Sequence, residues 1–120
     1  IMFAAHHKID NLIAAIDFNG QQIVGPTKLV IDLGTIKDKF LAFGWYVLEM
    51  DGNNMEEVVN TLDAAKSHAG KGNPVCIVMT TVMGKGVDFM EGTHEWHGIA
   101  PSDVQLEQAL KQIPETLGDY

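Results

Sequence analysis

At 120 residues the chain is the size of one small domain or of part of a larger one. Hydrophobic residues make up 46%, enough for a packed core, although a chain this short buries a smaller share of its surface than a full-sized α/β domain. The net charge of −8 argues against general nucleic-acid binding and against docking on anionic lipid, which both need a basic surface. No apolar run reaches membrane-spanning length. The opening Ile1-Met2-Phe3-Ala4-Ala5-His6-His7 has no basic n-region and reads into a helix, so no signal peptide is expected. Its first residue is not Met, and the chain is expected to open inside a longer sequence or to have been trimmed.

Three apolar runs have strand character: Leu12 to Ile16, Trp45 to Met50, and Val75 to Val82. The first and last are nearly continuous hydrophobics, as expected of strands covered on both faces in a parallel sheet. Strands are therefore expected at about residues 12–17, 45–49 and 75–81. Between the first two, Leu33, Ile36, Phe40 and Phe43 recur at helical spacing and Gly44 follows as a stop. Asn54 opens the next helix, with Glu57 at capping-box spacing. Its predicted apolar stripe is Met55, Val58, Val59, Leu62, Ala65 and Ala69, and Gly70 ends it. A last helix is predicted from Ser102, with Gln105 completing a capping box and Leu106, Ala109, Leu110 and Ile113 as the buried face.

This rhythm is that of an open α/β sheet flanked by helices. Three strands make a poor sheet by themselves, so only part of such a sheet is expected here. The lone Cys76 sits inside Val75-Cys76-Ile77-Val78, which reads as a buried structural thiol rather than a nucleophile. A single cysteine forms no internal disulfide and fits a reducing compartment.

In open α/β sheets, ligands bind beyond the carboxyl ends of the strands. Two loops leave strands with suitable chemistry. Asp17-Phe18-Asn19-Gly20-Gln21-Gln22-Ile23 offers an Asn side chain and main-chain carbonyls, hard oxygen donors of the kind Mg²⁺ or Ca²⁺ takes. Taken alone, Asn-Gly reads better as an ordinary turn. Thr80-Thr81-Val82-Met83-Gly84-Lys85-Gly86 offers glycines for close backbone approach to a phosphate and a Lys for charge. Its spacing is neither a Walker loop nor a dinucleotide fingerprint, and a surface loop is the better reading of it alone. His94-Glu95-Trp96-His97-Gly98 resembles a zinc motif only superficially, because His97 comes three residues after His94 rather than four. A histidine there suits a proton shuttle or a phosphate partner. His6 and His7 receive no role.

Taken together, these segments resemble transketolases. The segments are Asn11 to Ile23, Gly25-Pro26-Thr27, Lys39 to Trp45, Glu49 to Gly52, Gly84-Lys85-Gly86 and Trp96-His97-Gly98. The likeness is greatest to the short amino-terminal subunit of bacterial two-gene transketolases. It runs through essentially the whole chain, making residues 1–120 a partial diphosphate-binding domain, the carboxy-terminal part of it.

That resemblance implies thiamine diphosphate and Mg²⁺ as cofactors of the parent enzyme. It implies Asn19 and the Gln21 carbonyl as metal ligands, and Ile23 beside the thiazolium. His97 would be the histidine that meets the diphosphate and the sugar substrate. Asn19, Gln21 and His97 would then share the carboxyl-end side of the sheet. It further implies partnership with a carboxy-terminal transketolase subunit or domains, a homo-oligomer, a cytoplasmic setting, and ketol transfer between sugar phosphates in pentose phosphate chemistry.

The sequence departs from the family at two places. The upstream Gly-Asp-Gly that supplies a metal carboxylate does not occur in it, nor do the upstream histidines. Many relatives carry Lys where this chain has Met83, and whether Lys85 replaces that charge is open. The pyrimidine-binding domain, with its activating Glu, is also outside this sequence. The isolated chain is therefore expected to be inactive and to bind neither cofactor appreciably. The other readings are deoxyxylulose-phosphate synthase, part of a ketoacid dehydrogenase, and a non-catalytic α/β association module.

Overall fold

The structure is a computed structural model and describes residues 1–113. In chain order the elements are α1 (Met2–His6), β1 (Ile13–Phe18), β2 (Gln21–Gln22), β3 (Gly25–Pro26), α2 (Thr27–Val30), α3 (Ile36–Ala42), β4 (Tyr46–Asp51), α4 (Met55–His68), β5 (Val75–Thr80), a 3₁₀ turn (His94–Trp96) and α5 (Asp103–Gln112). They divide between two compact units. The first comprises Ile1–Asn19 and Ile31–Thr81, the second Gly20–Val30 and, among the described residues, those from Val82 to Ile113.

The first unit holds a three-stranded sheet in the order β1-β5-β4, with β5 parallel to both neighbours. The three expected strands are all present, within a residue or two of their predicted bounds. β5 is central, and Val75, Cys76 and Ile77 are fully buried there. Alternation along the strands sorts the core into two faces. Cys76 and Val78 join Ala4, Phe40 and Trp45 on one side, against α1 and α3. Val75 and Ile77 join Met50 and Ala65 on the other, against α4. This two-sided cover is why β5 reads as a continuous hydrophobic run, whereas β1, at the edge, leaves Ala15 and Asp17 exposed.

Local chemistry sets the helix ends. Asn54 Oδ1 accepts from the Glu56 and Glu57 N–H groups and so caps α4. Glu57 does not complete the expected box, because its carboxylate accepts from the Asp51 N–H instead and ties the helix start to the end of β4. After the helix, Gly70 takes a left-handed φ of +83°, as a stop requires. In the second unit, Ser102 and Gln105 form the reciprocal capping box that starts α5.

The predicted helix faces need correction. On α4, Ala65 is buried and Val58 packs on the core, while Met55, Val59 and Leu62 are exposed. Those three lie on one flank of the Val58–Ala65 line, and a three-stranded sheet is too narrow to reach them. On α5 only Ala109 is buried, and Leu106, Leu110 and Ile113 are exposed, the second unit having few elements to pack on them. Leu33 precedes α3 and Phe43 caps its end, so both stay partly open.

Candidate functional site

The three strands of the first unit end level. Phe18 pairs with Thr80, and Thr80 with Asp51. Asn19 follows directly and therefore stands at the carboxyl end of the sheet, where open α/β sheets place their ligands. Its side chain is held there. Asn19 Nδ2 donates to Asp17 Oδ2 at 3.3 Å, and Thr81 Oγ1 donates to Asp17 Oδ1. The Thr81 N–H also reaches the Phe18 carbonyl, at 3.5 Å. Gly52 makes room for this arrangement: a Cβ there would stand 2.6 Å from Thr81 Cγ2.

The other candidate residues belong to the second unit. Gln21 and Gln22 pair with Pro26 and Gly25 in a short antiparallel hairpin, and Ile23 and Val24 form its tip. Both tip residues are 73% exposed, an unusual place for two aliphatic side chains. Thr27 closes the hairpin by donating from its N–H and Oγ1 to the Gly20 carbonyl. Gln21 Nε2 donates to the Gly92 carbonyl at 3.2 Å, and the Gly92 N–H donates to the Met83 carbonyl. That chain of bonds links Gln21 to the turn carrying Gly84, Lys85 and Gly86.

Gly84 has φ +68°, and a Cβ there would lie 2.5 Å from the Met90 carbonyl oxygen, so only glycine fits. Lys85 is already paired, its Nζ 3.0 Å from Glu91 Oε1. His97 is exposed at the end of the 3₁₀ turn, and its N–H donates to the His94 carbonyl. Its neighbour Trp96 is anchored by a 2.8 Å bond from Nε1 to the Phe89 carbonyl and by a tilted contact with the Phe89 ring.

Sequence reasoning missed the roles of Asp17 and Thr81. Two signals were available: a carboxylate two residues before Asn19, and a hydroxyl one residue beyond the neighbouring strand. It also missed the hairpin and α2, which are too short to leave a periodic pattern. Among the described residues, no group of three His, Cys, Asp or Glu side chains comes together as a metal site, His94 and His97 included.

The comparisons with known proteins decide the family. The model for the transketolase thiamine diphosphate binding domain matches residues 1–116. The chain belongs to the transketolase family. It is 39% identical over 116 residues to one of the subunits of apulose-4-phosphate transketolase from Phocaeicola vulgatus, covering 97% of this chain and 41% of that protein. It is 37% identical over 112 residues to the 6-deoxy-6-sulfo-D-fructose transketolase subunit SqwG of a Clostridium species, covering 93% and 40%. The crystal structure of transketolase from Campylobacter jejuni superposes with a TM-score of 0.80 at 30% identity, over 92% of this chain and 17% of that one. The chain thus spans about two fifths of the two subunits it resembles. The parallel sheet with flanking helices is the transketolase architecture, and the expected fold class holds.

Proposed function

We propose that this chain forms part of the cofactor region of a transketolase-type enzyme, whose parent assembly moves a two-carbon ketol unit between sugar phosphates. The observation that carries this reading is the family match over residues 1–116, which takes in Asn19, Gln21, Ile23, Lys85 and His97. Asn19 Oδ1 and the Gln21 carbonyl would hold Mg²⁺. They fit it in kind, as hard oxygens, and fall short of its octahedral demand in number. Further ligands would come from a carboxylate outside this sequence and from the diphosphate itself.

The exposed Ile23 would lie against the thiazolium. His97 would meet the diphosphate and the sugar, where an imidazole can donate a hydrogen bond and exchange a proton. Lys85 would add charge once released from Glu91. When bound, thiamine diphosphate supplies the carbanion chemistry, and the protein's part is to position it.

On this reading the isolated chain is inactive. It needs a carboxy-terminal subunit or domains to supply the carboxylate that activates the aminopyrimidine. Two of its relatives are themselves named as subunits, which supports such a partner. A homo-oligomer and a cytoplasmic setting complete the proposal. A second reading, a non-catalytic association module, draws support from the exposed Phe3, Met55, Val59 and Leu110.

A ketol-transfer assay with a ketose phosphate donor tests the reading. It is run on the chain alone and on a mixture of a carboxy-terminal transketolase subunit with this chain joined behind the upstream, Gly-Asp-Gly-bearing segment of a related amino-terminal subunit. The expected result is no turnover alone, and turnover in the mixture that drops on His97→Ala. Association without turnover would favour the second reading, and turnover by the chain alone would overturn the first.

A further inference from the structure

We propose that Asp17 and Thr81 are positioning residues that fix which end of the Asn19 amide faces the metal. The inference rests on the metal role proposed for Asn19. An asparagine amide presents oxygen to one side and NH₂ to the other, and only the oxygen can ligate Mg²⁺. A carboxylate accepts hydrogen bonds and cannot donate them, so the group facing Asp17 Oδ2 at 3.3 Å must be the NH₂. Holding the nitrogen sets the amide plane and turns the oxygen away from Asp17.

Asp17 is held in turn. Its second oxygen takes the Thr81 hydroxyl. The Thr81 Cγ2 occupies the space beside Gly52 that a Cβ there would need, at 2.6 Å. The methyl packs on Gly52 and the hydroxyl is left aimed at Asp17. The main chain supports the same geometry, with the Thr81 N–H on the Phe18 carbonyl and the Gly52 N–H on the Thr80 carbonyl. The line from Gly52 through Thr81 and Asp17 to Asn19 therefore joins the ends of all three strands of the sheet. Groups that orient a metal ligand in this way typically change metal affinity by about 10–100-fold when removed.

Thr81→Val is the informative variant. It keeps the β-branched shape beside Gly52, removes the hydroxyl, and leaves every charge in place. The probe is Mn²⁺ alone, a paramagnetic substitute for Mg²⁺, titrated into the isotope-labelled full chain. The readout is line broadening of the Asn19 side-chain amide, which detects weak binding. Broadening in the wild type should require about tenfold more Mn²⁺ in Thr81→Val and return to the wild-type level in Thr81→Ser. The backbone spectrum away from the site should stay the same in all three.

Equal broadening in wild type and Thr81→Val would overturn the positioning role while leaving the metal reading intact. No broadening of Asn19 in the wild type would overturn the metal reading, and the positioning role with it. Should Thr81→Val fail to fold, Asp17→Ala takes its place. Asp51→Ala, which removes a charge at the same end of the sheet from a carboxylate that accepts the Asn53 N–H, is its control. A loss confined to Asp17→Ala supports positioning; equal losses mean charge alone and overturn it.

Discussion

Lys85 Nζ lies 3.0 Å from Glu91 Oε1, across the turn that begins at Gly84. Both side chains are partly exposed, at 56% and 36%, so the pair contributes little to stability. On the proposed cofactor role of Lys85, the pair occupies the cation that would otherwise meet a phosphate group. Glu91→Gln should therefore shift the urea midpoint by less than the equivalent of about 1 kcal/mol. The same change should let inorganic pyrophosphate perturb the Lys85 signals at lower concentration in an NMR titration. Identical titrations for wild type and variant would mean that Lys85 is not a phosphate contact held by Glu91.

Gly52→Ala probes the tight end of the sheet. The added methyl would meet Thr81 Cγ2 at 2.6 Å and Met79 Cβ at 3.2 Å, and Met79 cannot retreat from its strand. Overpacking of this kind costs about 1–3 kcal/mol. Urea unfolding of Gly52→Ala should show that loss, and hydrogen exchange should speed up at the Thr81 amide. A variant as stable as the wild type would show that Thr81 moves freely, and that Gly52 places no restriction on it.

Burial raises the Cys76 thiol from its ordinary 9.0 to about 11. The side chain is fully buried in the central strand. Between those two values the folded chain keeps a proton that the unfolded chain has lost, so stability falls as pH rises from 9 towards 11. The total loss above that range is roughly 2–3 kcal/mol. Below pH 9 this thiol gives no pH dependence. Cys76 should resist alkylation by iodoacetamide at pH 8 in the native chain and react promptly in urea. Rapid modification of the native chain would contradict its burial.

The strands were legible because each contains an apolar run, and Val75-Cys76-Ile77-Val78, buried on both faces of the sheet, can hardly be anything else. The helix starts at Asn54 and Ser102 were legible because capping is local chemistry. Which side chains those helices bury was not. Helical spacing marks an apolar face, but the width of the neighbouring sheet decides how much of it is covered, and Met55, Val59 and Leu62 fall outside. The Gln21–Pro26 hairpin escaped because two residues per strand carry no period. At the site, Asn19 was visible as a donor after a strand. Its anchoring by Asp17 and Thr81 depends on a contact between residues 64 positions apart, which local pattern does not encode.

We propose that this chain carries part of a cofactor site, enough for weak contact with a metal ion and too little to bind thiamine diphosphate in the micromolar range. Mg²⁺ needs near-octahedral oxygen coordination, and the chain offers it an amide oxygen and a carbonyl without the family's upstream carboxylate. The net charge of −8 further disfavours a diphosphate, although salt screens the distant charges. Calorimetric titration of the purified chain with thiamine diphosphate and Mg²⁺ measures this directly. The account predicts no binding in the micromolar range. Micromolar affinity without any partner chain would contradict it, and would mean that Asn19, Gln21 and their neighbours form a sufficient site.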